Sequence, residues 1–335
     1  MPYLAPSAVH IDKPLTNLTL AFVQDQSNFI ADKVFPVVGV DHQTDKYYEW
    51  DRANMNRTGD VSKIAPETEL PSIGMALSNS SYTADVYGLA MNFEEQMLAN
   101  EDAMLNTRAA GAQTLVTRML VHREEQFAST FFADGVWSTK RNGVSSSPVA
   151  GTSVLQWNDA SSTPIQDVTE AKREAHLASG GMRMNTMVVG REVYDELVNN
   201  SDILARLNGG ATVTNTALVV KQKLAEIFEV ENFYVMDAVK NTSAEGVAES
   251  NAYIGGKHAM LCHTPSSVGL MTPAAGMTFA WNSIPGANNL GVSVESYSGD
   301  WLRVKQIAER IEVKMAYDMK ATAPDLGFFF NGIVA

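Results

Sequence analysis

The sequence predicts an α+β chain in which a small α/β unit adjoins an elongated part made of strands and one overlong helix. Three observations carry this reading. Residues Asn106 to Phe132 contain no proline and one glycine, Gly111, while apolar residues recur at helical spacing. Two strand-like runs, DKYYEWDR and SNSSYTADVYGLAM, flank a stretch poor in large apolar side chains. Between Ile165 and about Pro265, helical and strand patterns alternate, as they do in a compact α/β unit.

Composition bounds what the chain can be. Of its 335 residues 45% are hydrophobic, which is enough for a sizeable core and argues against disorder of the whole. No apolar run approaches the ~18–20 residues that a membrane span needs. Met1 to Lys13 lacks an apolar signal core behind a basic flank, so secretion is not expected. The single cysteine, Cys262, excludes an internal disulfide and a zinc site built from several thiolates. A net charge of -13, with Lys and Arg scattered in pairs at most, disfavours a protein whose main task is gripping phosphates.

From the N-terminus, Leu15 to Val38 mixes apolar and polar residues, with a short helix near Phe22–Ala31 and a breaker at Pro36. On pattern alone, packing outside its own domain and an ordinary place in the core are evenly matched. In the next stretch Tyr47, Tyr48 and Trp50 supply β-propensity. Asn54 to Met75 then carries the turn and breaker residues Gly59, Pro66, Pro71 and Gly74. Two strands around about 25 weakly hydrophobic residues describe a long excursion, uncommon inside a compact domain. An isolated ribbon of this kind needs a surface to lie on, which a neighbouring subunit would supply.

The long helix places Ala109, Ala112, Leu115, Val116, Met119, Leu120 and Phe127 at helical spacing, with Asn106 as N-cap and Asp134-Gly135 at the exit. At ~1.5 Å per residue it would reach ~40 Å. A shorter helix, Asn92 to Ala99, precedes it, and Lys140 to Ser162 reads as a surface connection with room for one short strand. The α/β unit comprises a helix (Ile165–Ser179), a strand (Asn185–Val189), two helices (Glu192–Leu197 and Ala217–Phe228) and two strands (Asn232–Met236 and Ala252–His258). From Gly291 to Val334 the chain is strand-like, with a long run from Trp301 to Asp318. No internal repeat stands out.

Motifs for chemistry are missing. There is no phosphate loop, dinucleotide fingerprint, nucleophile elbow or H-E-x-x-H. His122-Arg123-Glu124-Glu125 reads as a solvated helix face rather than a metal site, and the pairs Glu94-Glu95 and Glu124-Glu125 as surface charge. Cys262 and His263 are strand neighbours that point to opposite faces, and a buried structural Cys is the better reading. Gly209-Gly210 and Gly255-Gly256 read as turns, and Phe328-Phe329-Phe330 as core. Tyr47, Tyr48 and Trp50 could stack on bases, but only Lys46 and Arg52 lie beside them, so packing between strands or subunits wins. No catalytic, cofactor-binding or metal-binding residue is assigned.

The residues do resemble a family. QDQSNFIADKVFPVV closely resembles the N-terminal arm of the major capsid proteins of tailed double-stranded DNA bacteriophages. DKYYEWDR looks like the start of their extended loop, and YTADVYGLAMNFEEQMLAN resembles its return. LNTRAAGAQTLVTRMLVHREEQFASTFFADGVW is similar to their spine helix and its exit, and MNTMVVGREVYDELVNNSDILARL to the strand and helix of their axial domain. The resemblance covers nearly the whole chain in the expected order, and its motifs are structural.

It implies the Hong Kong 97-type capsid fold: an N-terminal arm (residues 1–40), an extended β-hairpin loop (41–88), a peripheral domain with the spine helix (89–164 and 291–335) and an axial α/β domain (165–290). The implied role is a head-shell subunit, not an enzyme, assembled in the host cytoplasm and located in the virion. Candidate intersubunit contacts are Phe22, Phe29 and Phe35 in the arm and Tyr47, Tyr48, Trp50, Arg52, Arg57, Lys63, Glu67 and Glu69 in the loop. The implied partners are copies of the chain in hexamers and pentamers, a portal, a decoration protein in some shells, and enclosed double-stranded DNA held without sequence preference. The arm begins within about fifteen residues of Met1, so a separate scaffolding protein is expected. Some relatives join a loop lysine to a neighbour's Asn, but Lys46 and Lys63 carry no local signature of that chemistry. An encapsulin-type compartment and, well behind it, a soluble α/β enzyme using Ile165–Pro265 are the alternatives.

Overall fold

The structure is a computed structural model that describes residues 24–50, 56–67, 69–74, 77–100, 107–207, 221–267, 269, 272–283, 293–297 and 307–335. A 3₁₀ turn at Gln26–Asn28 precedes β1 (Val37–Val40), β2 (Thr44–Trp50), β3 (Leu77–Thr83) and β4 (Asp85–Glu94). Helix α1 (Glu95–Ala99) is followed by the long α2 (Thr107–Phe131), then β5 (Thr139–Val144), β6 (Ser153–Leu155) and α3 (Pro164–Ala178). Next come β7 (Thr186–Gly190), α4 (Arg191–Asn199), α5 (Ser201–Leu207), α6 (Lys221–Ile227) and β8 (Asn232–Met236). Strands β9 (Val239–Asn241), β10 (Asn251–Tyr253), β11 (Ala259–Cys262), β12 (Met277–Trp281), β13 (Ser293–Tyr297), β14 (Ile307–Lys320) and β15 (Gly327–Asn331) follow.

One sheet runs β1-β12-β14-β13, with β4 also on β14; a second runs β6-β5-β15-β11-β7-β8. β9–β10 and β2–β3 are separate two-stranded ribbons. The second sheet is buried on both faces because its residues alternate between two cores. Val188, Met260, Cys262 and Phe329 face the core beneath α2, while Met187, Val189, Leu261, Phe328 and Phe330 face the core under α3 and α4. The Phe328-Phe329-Phe330 run is therefore core on both sides, as the sequence implies.

Helix α2 carries its buried line at intervals of four, through Gly111, Leu115, Met119, Arg123, Phe127 and Phe131. Its 25 residues span roughly 37 Å. At its start Gly111 lets β4 come close, and at its end Phe127 and Phe131 join Phe35 and Trp137 in an aromatic cluster. The Trp137 indole N–H donates to the Phe131 carbonyl at 2.8 Å, which fastens the helix exit. The sheet face away from α2 carries the polar half of β14, where Glu312 bridges Arg310 and Lys314.

Several expected boundaries change. Asn92 to Glu94 belong to β4, because pairing with β14 continues to Ile307↔Glu94 and Phe93 is buried; only Glu95–Ala99 is helical. The strand expected over Ala252–His258 splits at Gly255-Gly256: Asn251–Tyr253 pairs with β9, and the sheet strand begins at Ala259. Lys140 to Ser162 contributes two short strands, β5 and β6, to the second sheet. Of the Ala217–Phe228 helix residues 221–228 are described, helical over Lys221–Ile227, and of the Trp301–Asp318 run residues 307–318. Asn106 and Phe22 lie outside them.

The division at residues 164, 165, 290 and 291 does not follow the sheets. β15 sits between β5 and β11, parallel to one and antiparallel to the other, so strands from both expected domains share the second sheet. β12, from the expected axial part, pairs with β1 and β14 in the other sheet.

Candidate assembly surface

The ribbon β2–β3 is rooted on the first sheet by an aromatic stack. Tyr47 and Tyr82 pack on Phe279 of β12, with ring centroids 5.4 and 4.6 Å away. The Thr83 amide donates to Asp318 of β14 at 2.9 Å, and the Ala84 amide to the Gln43 carbonyl at 2.8 Å. Beyond the root the register runs unbroken from Thr44↔Thr83 to Trp50↔Leu77, and the ribbon leaves the subunit core behind.

The loop it carries is exposed throughout its described residues. Val61 (83% exposed), Leu70 (70%) and Ile73 (71%) stand in solvent with Tyr48 (69%). Apolar side chains left open in this number along one projection mark a surface built to be covered. Asn56 donates to the Gly180 carbonyl at 2.9 Å, which ties the loop's near end to the exit of α3. Arg57, Lys63, Glu67 and Glu69 are exposed on the same loop, with Glu67 in a left-handed turn (φ 63).

The candidate contacts therefore divide. Tyr48, Arg57, Lys63, Glu67 and Glu69 are open to a partner, whereas Tyr47 is half-buried at the ribbon's root. Trp50 pairs through its backbone with Leu77. Phe22 and Arg52 fall outside the described residues. Phe29 and Phe35 lie inside the subunit: both are 2% exposed, and Phe35 packs 4.5 Å from Phe131. Hydrophobic burial within the chain has already taken these side chains.

The arm is held by a group that was read as surface charge. Glu124, fully buried on α2, accepts the backbone amides of Ile30 and Ala31 at 3.1 and 3.0 Å. These amides open the turn closed by Val34 N–H to Ile30 O, so the carboxylate serves them as a cap. Beside it the buried Arg123 faces Asp32 of the arm at 3.6 Å. Burial pushes Glu124 up to about 7, against the lowering pull of the Ala31 and Ile30 amides and of Arg123. A signal was present: Arg123 falls on the four-residue ladder of buried positions, and a charge there needs a partner.

Among the described residues no group of three or more His, Cys, Asp or Glu side chains could hold a metal ion, and His122 packs its ring on Tyr87. Cys262 is buried and its thiol is pushed up by burial, which leaves it inert. A cleft of about 260 Å³ gathers Glu192, Asp195 and Glu196 against the C-terminus with no nucleophile beside them. No described helix is long and apolar enough to cross a membrane.

A projecting ribbon with an open apolar loop, a tethered arm and a long helix beneath a sheet are the features to set beside known proteins. No family model matches. The chain is 24% identical over 326 residues to the major capsid protein of Pseudomonas phage JBD67, covering 97% of each. It is 24% identical over 239 residues to that of Burkholderia phage BcepMu, covering 68% of this chain and 69% of the relative. A phage-related protein of Bordetella bronchiseptica RB50 superposes with a TM-score of 0.64 at 17% identity, covering 96% of this chain and 97% of that one. The capsid of cyanophage P-SCSP1u gives 0.60 at 11% identity and 98% of both chains. The SrpI encapsulin of Synechococcus elongatus PCC 7942 gives 0.53 at 8% identity, covering 97% and 96%.

Proposed function

We propose that this chain is the major capsid protein of a tailed bacteriophage, of the Hong Kong 97 type, and that its copies form an icosahedral head around double-stranded DNA. The observation that carries the reading is end-to-end similarity to a phage major capsid protein, spanning 97% of both chains. The open loop and its ribbon supply the contact surface that such assembly needs. Self-association through symmetric, repeated interfaces accounts for apolar residues that the monomer leaves in water. The net charge of -13 suits a wall that encloses DNA without gripping it. Hexamers and pentamers, a portal, a scaffolding protein and a decoration protein belong to the same reading, as does assembly in the host cytoplasm.

Electron microscopy of the purified chain, alone and with co-expressed scaffolding protein, tests it. Closed shells of uniform size are expected under at least one condition, and a protein that stays monomeric under both overturns the reading. The encapsulin alternative shares the fold, but the sequence similarity that spans the whole chain is to a phage major capsid protein. Particles from infected cells distinguish the two by content: packaged DNA supports the capsid, and an enzyme cargo the compartment.

A further inference from the structure

Among the described residues β4 pairs on one side only, with β14, over ten residues from Asp85 to Glu94. In an antiparallel pair alternate residues turn their amide and carbonyl away from the partner, so about five residues of β4 have no backbone strand partner among the described residues. Natural edges are blunted by shortness, charge or proline. The rims β1, β6 and β8 are short, at four, three and five residues. β2 carries Asp45, Lys46 and Glu49. From Val86 to Phe93, by contrast, β4 has no charge and no proline. Tyr87, Leu89 and Met91 pack against the core but remain half-exposed, and Val86 on the other face is 47% exposed.

We propose that the free edge of β4 is a strand-pairing site between subunits, occupied in the assembled particle by an extended segment of a second copy of this chain. The inference rests on the capsid reading above and adds to it a particular edge and a mode of contact. Strand addition satisfies the unpaired backbone and completes the cover of Tyr87, Leu89 and Met91. Two features select a copy of the chain over other occupants. β3 runs through Ala84 directly into β4, so this edge continues the ribbon whose exposed loop, on the capsid reading, meets neighbouring subunits. The only charges on the strand are its acidic ends, Asp85 and Glu94, which repel nucleic-acid phosphates and offer a charged partner no pairing along eight residues.

Hydrogen–deuterium exchange of particles assembled from the purified chain tests it, against the unassembled subunit. Amides of 85–94 should exchange at least about tenfold more slowly in the particle, since strand pairing removes them from solvent. A90K, at an exposed position in mid-strand, should melt like wild type as a free subunit, yet give particles that lose this protection and dissociate at lower denaturant. Particles that form normally with residues 85–94 exchanging as in the free subunit overturn the proposal and leave the capsid reading intact. Protection seen only when other virion proteins are present also overturns it, because the occupant is then not a copy. Failure to obtain any particle overturns both.

Discussion

Glu124 and Ala31, 93 positions apart in the chain, meet as buried acceptor and backbone donor at 3.0 Å. This bond, with its companion to Ile30 and the Arg123–Asp32 pair, fastens the arm to the long helix within one subunit. E124A strands two buried amides without an acceptor and should cost about 1–3 kcal/mol. At pH 5, where the Glu124 carboxyl is protonated, E124Q keeps an oxygen acceptor and should cost little. Denaturant unfolding of the unassembled subunit measures both, and an E124A midpoint equal to wild type would dismiss the tether.

The same carboxyl makes stability depend on pH. Its folded value of about 7 lies above the ordinary 4.5, burial being the leading cause, so between these values the folded chain holds a proton that the unfolded chain has released. Glu124's contribution is therefore greatest below about pH 4.5 and declines as pH rises through about 7, by at most about 3 kcal/mol. E124Q should flatten this part of the profile. Unfolding midpoints of the two proteins from pH 5 to 8 should converge at the acid end and separate at the alkaline end, with the variant the more stable there.

Gly111 offers a test of how the long helix packs. Propensity alone says that alanine inside a helix improves on glycine by about 1 kcal/mol. Here a Cβ would stand 2.6 Å from Phe93 Cζ and 2.9 Å from Met91 Sδ, and Phe93 is itself buried. Overpacking wins, so G111A should lose about 1–3 kcal/mol. The F93L background should recover part of that loss, which a double-mutant cycle on unfolding free energies reads directly.

Much of this architecture was legible, and its gaps have identifiable causes. The long helix announced itself because one apolar line persisted over 25 residues, and Asn232–Met236 because a short apolar run lay between turn signals. The place of β15 was not legible: it pairs with β5 nearly two hundred residues earlier as well as with β11, and no local pattern encodes such pairing. Glu124 was misread because adjacent acidic residues on a helix resemble solvated charge until the arm that covers them is known. Phe29 and Phe35 were assigned outward for the same reason, since pattern shows that a side chain will be buried but not by which chain.

Phe279 seats the root of the projecting ribbon. It is 4% exposed and carries Tyr82 at an interplanar angle of 11° and Tyr47 at 29°. F279A removes the surface on which both tyrosines stack and should cost about 3 kcal/mol at this root. Much of that loss should appear as local opening, because the ribbon makes few other bonds to the sheet. Limited proteolysis should cut the variant faster between residues 44 and 83, with the long helix still protected. Cleavage at wild-type rates would show that the stack does not hold the ribbon.

Removal of the loop's outer part, Thr58 to Gly74, separates folding from assembly. Every described residue in this interval is exposed, so its deletion takes no side chain from either core. The subunit should therefore remain soluble with an unfolding midpoint close to wild type, since surface loops contribute little to stability. Assembly should suffer, because Val61, Leu70 and Ile73 lose the burial that a neighbour would give them, at about 1.5–3 kcal/mol for each large apolar side chain. Across the many equivalent contacts of a shell that loss is decisive, so size-exclusion chromatography and electron microscopy should find subunits or unstable fragments instead of closed particles. Normal, stable shells from the deletion variant would remove the loop from the assembly interface and return the open apolar residues to ordinary surface.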